Sequence, residues 1–291
     1  MRFAVATVLW FAATVALAAA IPAAWAQLHV VDSDGYAALA REAAGDPALQ
    51  SAMASELTTR AMALANQRGA RYALDVSEVH AAASAFTAGR AFPALFAQAN
   101  RAVHSWLFTD PGAGLGGEPW VIDLAPMLKD GAIAALLSRH HVTVPDTLAV
   151  PVTESLPRSW RQGRLSRFAT WGPWASAGAA ALAGCCALLT LAAARSRGKA
   201  LSSLGVSALL VGAVGWAGIE VGRGYVNGAL NLTTGDLRDI ADVMIGHAEV
   251  GLHHWLNLTL VAGGALVGVG VLAAVAAGLR RKPADGTASR T

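Results

Sequence analysis

The chain has 291 residues, of which 55% are hydrophobic and 14% are charged. Soluble domains carry about 25% charged residues, so the composition excludes an ordinary water-soluble protein and indicates extensive contact with a lipid bilayer. The net charge is +3, but the basic residues lie mainly beside apolar segments, where anionic headgroups are the expected counter-charge, and we predict no nucleic-acid partner.

The first apolar segment occupies residues 1–26 and begins beside one cation, Arg2. Its apolar run from Phe3 is longer than the roughly 7–15 residues of a signal-peptide core and nearly reaches the ~20 that a membrane-crossing helix needs, which favours a retained signal-anchor. Pro22, followed by the small residues Ala24 and Ala26, is also typical of a secretory signal with a cleavage site. Both alternatives export residues 27–167.

Three further apolar segments, 168–194, 200–221 and 255–279, are each long enough to span a ~30 Å hydrocarbon core. They are joined by a short loop, 195–199, and a longer loop, 222–254, and are followed by a tail, 280–291. With the N-terminus inside, four spans place the basic residues of 195–199 and 280–282 in the cytoplasm, as the positive-inside rule requires. We therefore predict a multi-pass plasma-membrane protein with both termini inside and residues 27–167 outside.

The exported domain is predicted to be mostly helical with a small β content, which makes the whole chain mainly α. Asp46 followed by Pro47 is typical of a helix start, and Asp75 or Ser77 marks a second. A third helix is predicted over 94–108 and a fourth over 126–139, with a short strand at 120–124 and an extended stretch over 141–152.

Four residues of this domain are candidates for a functional role. Asn100 and His104 are four residues apart, so they share one face of a helix with Arg101 beside them, and a histidine can act as an acid or base near neutral pH. Asp123 on the predicted strand is a candidate partner. The alternative is that Asn100 and His104 satisfy hydrogen bonds within a small domain, since no nucleophile is identifiable nearby.

The loop 222–254 holds a second cluster of titratable residues. A continuous helix from Asp236 would have an apolar side formed by Leu237, Ala241 and Met244, which predicts an amphipathic helix lying along the membrane interface. His247, Glu249 and His254 are candidates for a metal or pH-sensing site, although the H-E-x-x-H motif is absent. The alternative is a solvated face.

Four arginines precede the second span at intervals of three, on the side predicted to be outside. Such a strip can contact outer-leaflet phosphates, or it can dock an anionic envelope polymer or a partner protein. The four are Arg158, Arg161, Arg164 and Arg167.

Small residues in the spans favour close helix contact. Gly264 and Gly268 repeat the G-x-x-x-G spacing and are candidates for homo-oligomer contact, and Gly218 and Gly222 have the same spacing. Cys185 and Cys186 are neighbours in an apolar run, so neither a disulfide nor a metal site is expected.

Several stretches resemble a group of actinobacterial integral membrane proteins that have an N-terminal anchor, an exported domain of this size and spans near the C-terminus. The resemblance covers roughly residues 30–195 and implies architecture and compartment only. The chain departs from the pattern at 222–254, where its loop is longer and more polar than the resemblance to this group implies. The stretches are DSDGY at 32–36, GDPALQ at 45–50, FPALF at 92–96, NRAVH at 100–104 and VIDLAP at 121–126.

The sequence contains no P-loop, dinucleotide-binding or G-x-S-x-G motif, and we predict no cofactor. The leading hypothesis is a non-enzymatic cell-envelope protein that binds or assembles a partner through its exported domain. The alternative is a membrane enzyme or transporter component that uses the acidic and histidine residues of 236–254.

Overall fold

The computed structural model describes residues 2–67, 74–108, 121–129, 131–151, 163, 165–194, 196–230 and 235–279. Most of these residues are helical, and four helices are long and apolar enough to cross a membrane. The prediction of a mainly helical chain with four long apolar helices is thereby confirmed.

Ten α-helices, two short strands and one π-helical turn make up the described structure. They are, in chain order, α1 (Arg2–Ala26), the π-helical turn (Gln27–Val31), α2 (Ser33–Ala43), α3 (Pro47–Gln67), α4 (Val76–Thr87), α5 (Phe92–Phe108), β1 (Val121–Asp123), α6 (Ala125–Leu128), α7 (Gly131–Arg139), β2 (Ala149–Pro151), α8 (Ser166–Ala193), α9 (Arg197–Leu230) and α10 (Asp236–Leu279).

The chain divides into two compact units. We call the described residues of 1–25, 173–221 and 252–291 the membrane unit, and the described residues of 26–172 and 222–251 the polar domain. Helices α8, α9 and α10 contribute residues to both, as does α1 through its last residue, Ala26.

The third and last apolar helices are longer than the sequence predicts. Helix α1 continues through Pro22, although proline removes one helical hydrogen bond, and it ends in the π-helical turn. Helix α10 has 44 residues, a length of about 66 Å, which is twice the ~30 Å hydrocarbon core. The helix predicted from Asp236 is present as the first part of α10, and the other described residues of 222–254 are the end of α9 and Gly235. The predicted position of this helix along a membrane interface stays a prediction.

Side-chain caps start the helices of the polar domain. Asp46 accepts a hydrogen bond from the Ala48 amide at 2.8 Å, and Asp75 accepts one from the Ser77 amide at 2.8 Å, which confirms both predicted starts. The helix predicted over 126–139 is instead two helices, because Gly131 takes a left-handed φ of 52° at the start of α7.

The core of the polar domain surrounds Phe92, which is fully buried. Its ring centroid lies 5.8 Å from that of Phe86 and 5.6 Å from that of Phe96. Helices α3 and α4 pack on each other, and α4 packs on α7. Strand β1 pairs antiparallel with β2, with Asp123 opposite Ala149.

Helix α10 also packs against this core, through Ile240, Val243 and Met244. The predicted apolar side included Met244 but not Ile240 or Val243. The two sets of residues differ because this part of α10 packs against the core of a folded domain, whereas the sequence predicted contact with a flat membrane interface. The segment 236–251 thus completes the polar domain.

In the membrane unit, α9 and α10 approach so closely that glycine is required. A Cβ atom on Gly205 would lie 2.7 Å from the Gly263 carbonyl oxygen, and one on Gly198 would lie 2.7 Å from the Gly270 carbonyl oxygen. These glycines are spaced by seven residues on both helices, which keeps them on one face. Backbone contact through small residues is how helices associate in lipid, where the hydrophobic effect contributes little.

The G-x-x-x-G pairs singled out in the sequence do not take part in this contact. A Cβ atom on Gly218, Gly222, Gly264 or Gly268 would meet no other atom within 4 Å. The homo-oligomer contact through Gly264 and Gly268 therefore stays a prediction.

We expect Gly205→Ala to destabilise the protein by about 1–3 kcal/mol, because the methyl group has to displace backbone atoms of α10. Gly264→Ala is the matched control, since its methyl group enters open space and alanine is the better helix former. Thermal unfolding of the full chain in detergent measures both. Equal melting temperatures for the two variants would contradict the α9–α10 contact described here.

Candidate functional site

His104, one of the candidate residues predicted from the sequence, lies on α5. Its side chain is buried, and its Nε2 atom lies 3.1 Å from the Val30 carbonyl oxygen and 2.9 Å from the Val31 carbonyl oxygen. Carbonyl oxygens only accept hydrogen bonds, so Nε2 carries a proton and donates to them. The surroundings thus require a hydrogen on Nε2.

The two carbonyls belong to the π-helical turn that ends α1. The Asp32 amide donates to the Gln27 carbonyl oxygen at 2.9 Å, the wide spacing that defines this turn. Helix α2 begins at Ser33, with the Asp32 side chain accepting from the amides of Asp34 and Gly35. Because the last carbonyls of a helix have no partner in a following turn, His104 supplies the missing donor from α5.

Aromatic and amide side chains hold the imidazole in place. The Phe108 ring stacks on it with centroids 4.3 Å apart, and the Tyr36 ring lies at 5.5 Å. The Tyr36 hydroxyl donates to Asn100 Oδ1 at 3.4 Å, and Asn100 Nδ2 donates to the Phe96 carbonyl oxygen at 2.9 Å. Burial raises the pKa of Tyr36, which keeps the hydroxyl a donor.

Helix α2 crosses the π-helical turn at Gly35. A Cβ atom on Gly35 would lie 1.8 Å from the Leu28 carbonyl oxygen, so any larger residue has to separate the two segments. Arg101 binds Asp34 at 2.7 Å, with both side chains largely exposed. Such a surface ion pair contributes little stability. We call Gly35, Tyr36, Asn100 and His104, with the carbonyls of Val30 and Val31, the histidine clamp.

Asp123 lies apart from the clamp and fixes local backbone. Its Oδ1 atom accepts from the Ala125 amide at 2.9 Å and from the Leu148 amide at 2.8 Å. The carboxylate therefore ties the start of α6 to the residues that lead into β2. The structure assigns it these bonds and does not join it to His104.

The titratable residues of 236–254 point to different partners. His247 Nε2 lies 3.5 Å from Asp46 Oδ2, and the Arg223 guanidinium binds Glu249, with Nε 3.0 Å from Oε2. His254 is exposed. Among the described residues, no group of three or more histidine, cysteine or acidic side chains could hold a metal ion. The two contacts tie α10 to the start of α3 and to α9.

The arginine strip is only partly within the described residues. Arg167, near the start of α8, is exposed to the surroundings. Arg158, Arg161 and Arg164 lie outside the described residues, so the predicted contact with anionic groups stays a prediction.

No model of a known protein family matches the chain, and no curated protein or solved structure is similar to it. Its own geometry is what bears on function. The sequence placed Asn100 and His104 on one face, but it did not identify their partners Tyr36 and Val30. The signal that could have found them is the DSDGY stretch, in which an N-cap aspartate and a glycine precede a tyrosine.

The clamp is suited to holding a backbone junction. An acid or base has to exchange its proton with a substrate within hydrogen-bond reach, whereas the Nε2 proton of His104 is shared between two backbone carbonyls. The Asn100 amide is likewise bound to Phe96 and Tyr36. These side chains position the π-helical turn, α2 and α5 relative to one another.

Removal of the donor should therefore destabilise the protein. We expect His104→Ala to lower the free energy of unfolding by about 1–3 kcal/mol for the unsatisfied carbonyls, with a further loss from the empty volume. His104→Gln should recover part of the loss, because its amide can donate from a similar position. Thermal unfolding of the full chain and hydrogen exchange of 27–36 measure both effects.

The exposed His254 provides a control, and His254→Ala should behave as the wild type. Wild-type stability and exchange in His104→Ala would show that the clamp does not hold the junction.

Proposed function

We propose that the chain is a non-enzymatic cell-envelope membrane protein that binds or assembles a partner through its polar domain, held outside the membrane. The observation that carries the proposal is the histidine clamp. His104, the residue of this set best suited by type for acid–base chemistry, has its Nε2 atom bound to two backbone carbonyls. Asn100 is bound to the Phe96 carbonyl oxygen and the Tyr36 hydroxyl. This use favours a rigid scaffold over a reaction centre.

The four apolar helices support a membrane location. Arg197 and Lys199 are exposed at the start of α9, and basic residues next to spans favour the cytoplasmic side. We therefore propose that both termini are inside and that residues 27–167 are outside, with segment 222–251 on the same side as part of the polar domain.

The alternative, an enzyme or transporter component that uses 236–254, has less support. His247 and Glu249 are engaged by Asp46 and Arg223, contacts that join α10 to the rest of the polar domain. A transport or catalytic role would need these groups to face a substrate or an ion path.

Single cysteines test both orientation and binding. In a full chain lacking Cys185 and Cys186, we introduce Glu78→Cys on α4 or Lys199→Cys on α9, both at exposed positions. A membrane-impermeant thiol reagent should label position 78 in intact cells and position 199 only after permeabilisation. A thiol-coupled photocrosslinker at 78 should then give discrete adducts with an envelope component.

The position-199 protein is the matched control for crosslinking. Labelling of 199 from outside would contradict the orientation. Correct labelling without adducts from 78, or from equivalent exposed positions such as Arg41 and Arg101, would contradict the binding role.

A further inference from the structure

A cavity of about 530 Å³ lies within the membrane unit, between α1, α8, α9 and α10. Alanine and glycine residues make the room for it. Those on α8 are Ala180, Ala183, Gly184 and Ala187, and facing them on α1 are Ala13 and Ala20.

The wall of the cavity is almost entirely apolar. Among the described residues that line it, the one side-chain hydroxyl group is that of Ser207, which lies 2.8 Å from the Thr14 hydroxyl and donates to the Ser203 carbonyl oxygen at 3.2 Å. A hydroxyl bound in this way offers little to a water molecule. Apolar cavities without free polar partners stay dry or bind apolar molecules.

The size of the cavity fits one alkyl chain. A cavity of about 150 Å³ holds benzene, or roughly 25 Å³ for each carbon atom, so this cavity accommodates on the order of 20 carbons. The lining residues on α1 run from Ala13 to Ala24, and those on α8 from Ala180 to Leu191. Each run rises about 16 Å along its helix, close to half of the ~30 Å hydrocarbon core.

We propose that this cavity binds one acyl chain of a membrane lipid. The lining residues extend over about the depth of one membrane leaflet. Helices as apolar as these four are surrounded by lipid acyl chains in a membrane, so acyl chains are the molecules available to enter the cavity. The bound acyl chain fills the space between four helices, whereas other lipid contacts only the outer faces of the helices. The proposal does not depend on the orientation of the protein or on the role of the polar domain.

Gly184→Leu tests the site by filling it. A Cβ atom on Gly184 meets no atom within 4 Å, so the larger side chain can enter the cavity without moving the backbone. Gly178→Leu is the matched control: it lies on the same helix, its Cβ position is equally open, and it is not part of the lining. Both changes improve helix propensity by the same amount.

The full chain is placed in nanodiscs of phosphatidylglycerol that include a fraction with a diazirine in one acyl chain. After irradiation, peptide mapping compares adducts on the α8 lining with those near Leu272, which is exposed on α10. Each displaced methylene weakens binding severalfold, so Gly184→Leu should lower the lining adducts by about tenfold or more. Gly178→Leu and the Leu272 adducts should be unchanged.

Excess unlabelled phosphatidylglycerol should compete, whereas glycerophosphoglycerol, the headgroup without chains, should not. Equal lining adducts in the wild type and Gly184→Leu, or competition by the headgroup alone, would overturn the proposal. If Gly184→Leu fails to elute as a folded protein, Ala187→Leu replaces it, with the same expected loss.

Discussion

The polar domain depends on the two carbonyl groups that the first apolar helix leaves without partners where it ends. At this junction α1 widens into a π-helical turn that ends at Val31, and α2 starts two residues later, at Ser33. His104 donates to both carbonyls from α5, a helix about 70 residues further along the chain. A carbonyl that loses its hydrogen bond beside a buried side chain costs free energy, so the turn depends on the donor that His104 supplies.

The other members of the clamp follow from this constraint. Because α2 lies against the turn at Gly35, Tyr36 comes next to the imidazole and to Asn100. Arg101, one residue beyond Asn100, then reaches Asp34 on α2. Residues that looked like a candidate reaction site are in this way the means by which three chain segments are held together.

A different constraint determines the membrane unit, where the helices associate through the fit of their surfaces. Between α9 and α10, glycines at intervals of seven allow backbone contact, and a larger residue would clash. Where α1, α8, α9 and α10 face one another, small side chains do not fill the space between the helices, and a cavity results. Glycine and alanine therefore serve both close contact and a cavity, depending on which helix faces them.

The sequence predicted the features that local patterns determine. Uncharged runs identified the four apolar helices, and the pairs Asp46–Pro47 and Asp75–Ser77 identified the starts of α3 and α4. It missed α2, and it missed the packing of 236–251 on the polar core, because partners distant in sequence decide both. Helical register also decides which glycines meet, so counting G-x-x-x-G spacings selected Gly264 and Gly268, while Gly205 and Gly263 make the contact.

The tautomer of His104 is the most direct test of this account. Nitrogen-15 NMR of the full chain labelled at histidine, with the His104 signal assigned by its loss in His104→Gln, identifies which ring nitrogen carries the proton. The account predicts a proton on Nε2 that exchanges slowly with water, because two carbonyls accept it in a buried site. A neutral ring with its proton on Nδ1 alone would contradict the clamp, since Nε2 would then face two acceptors without a hydrogen to share.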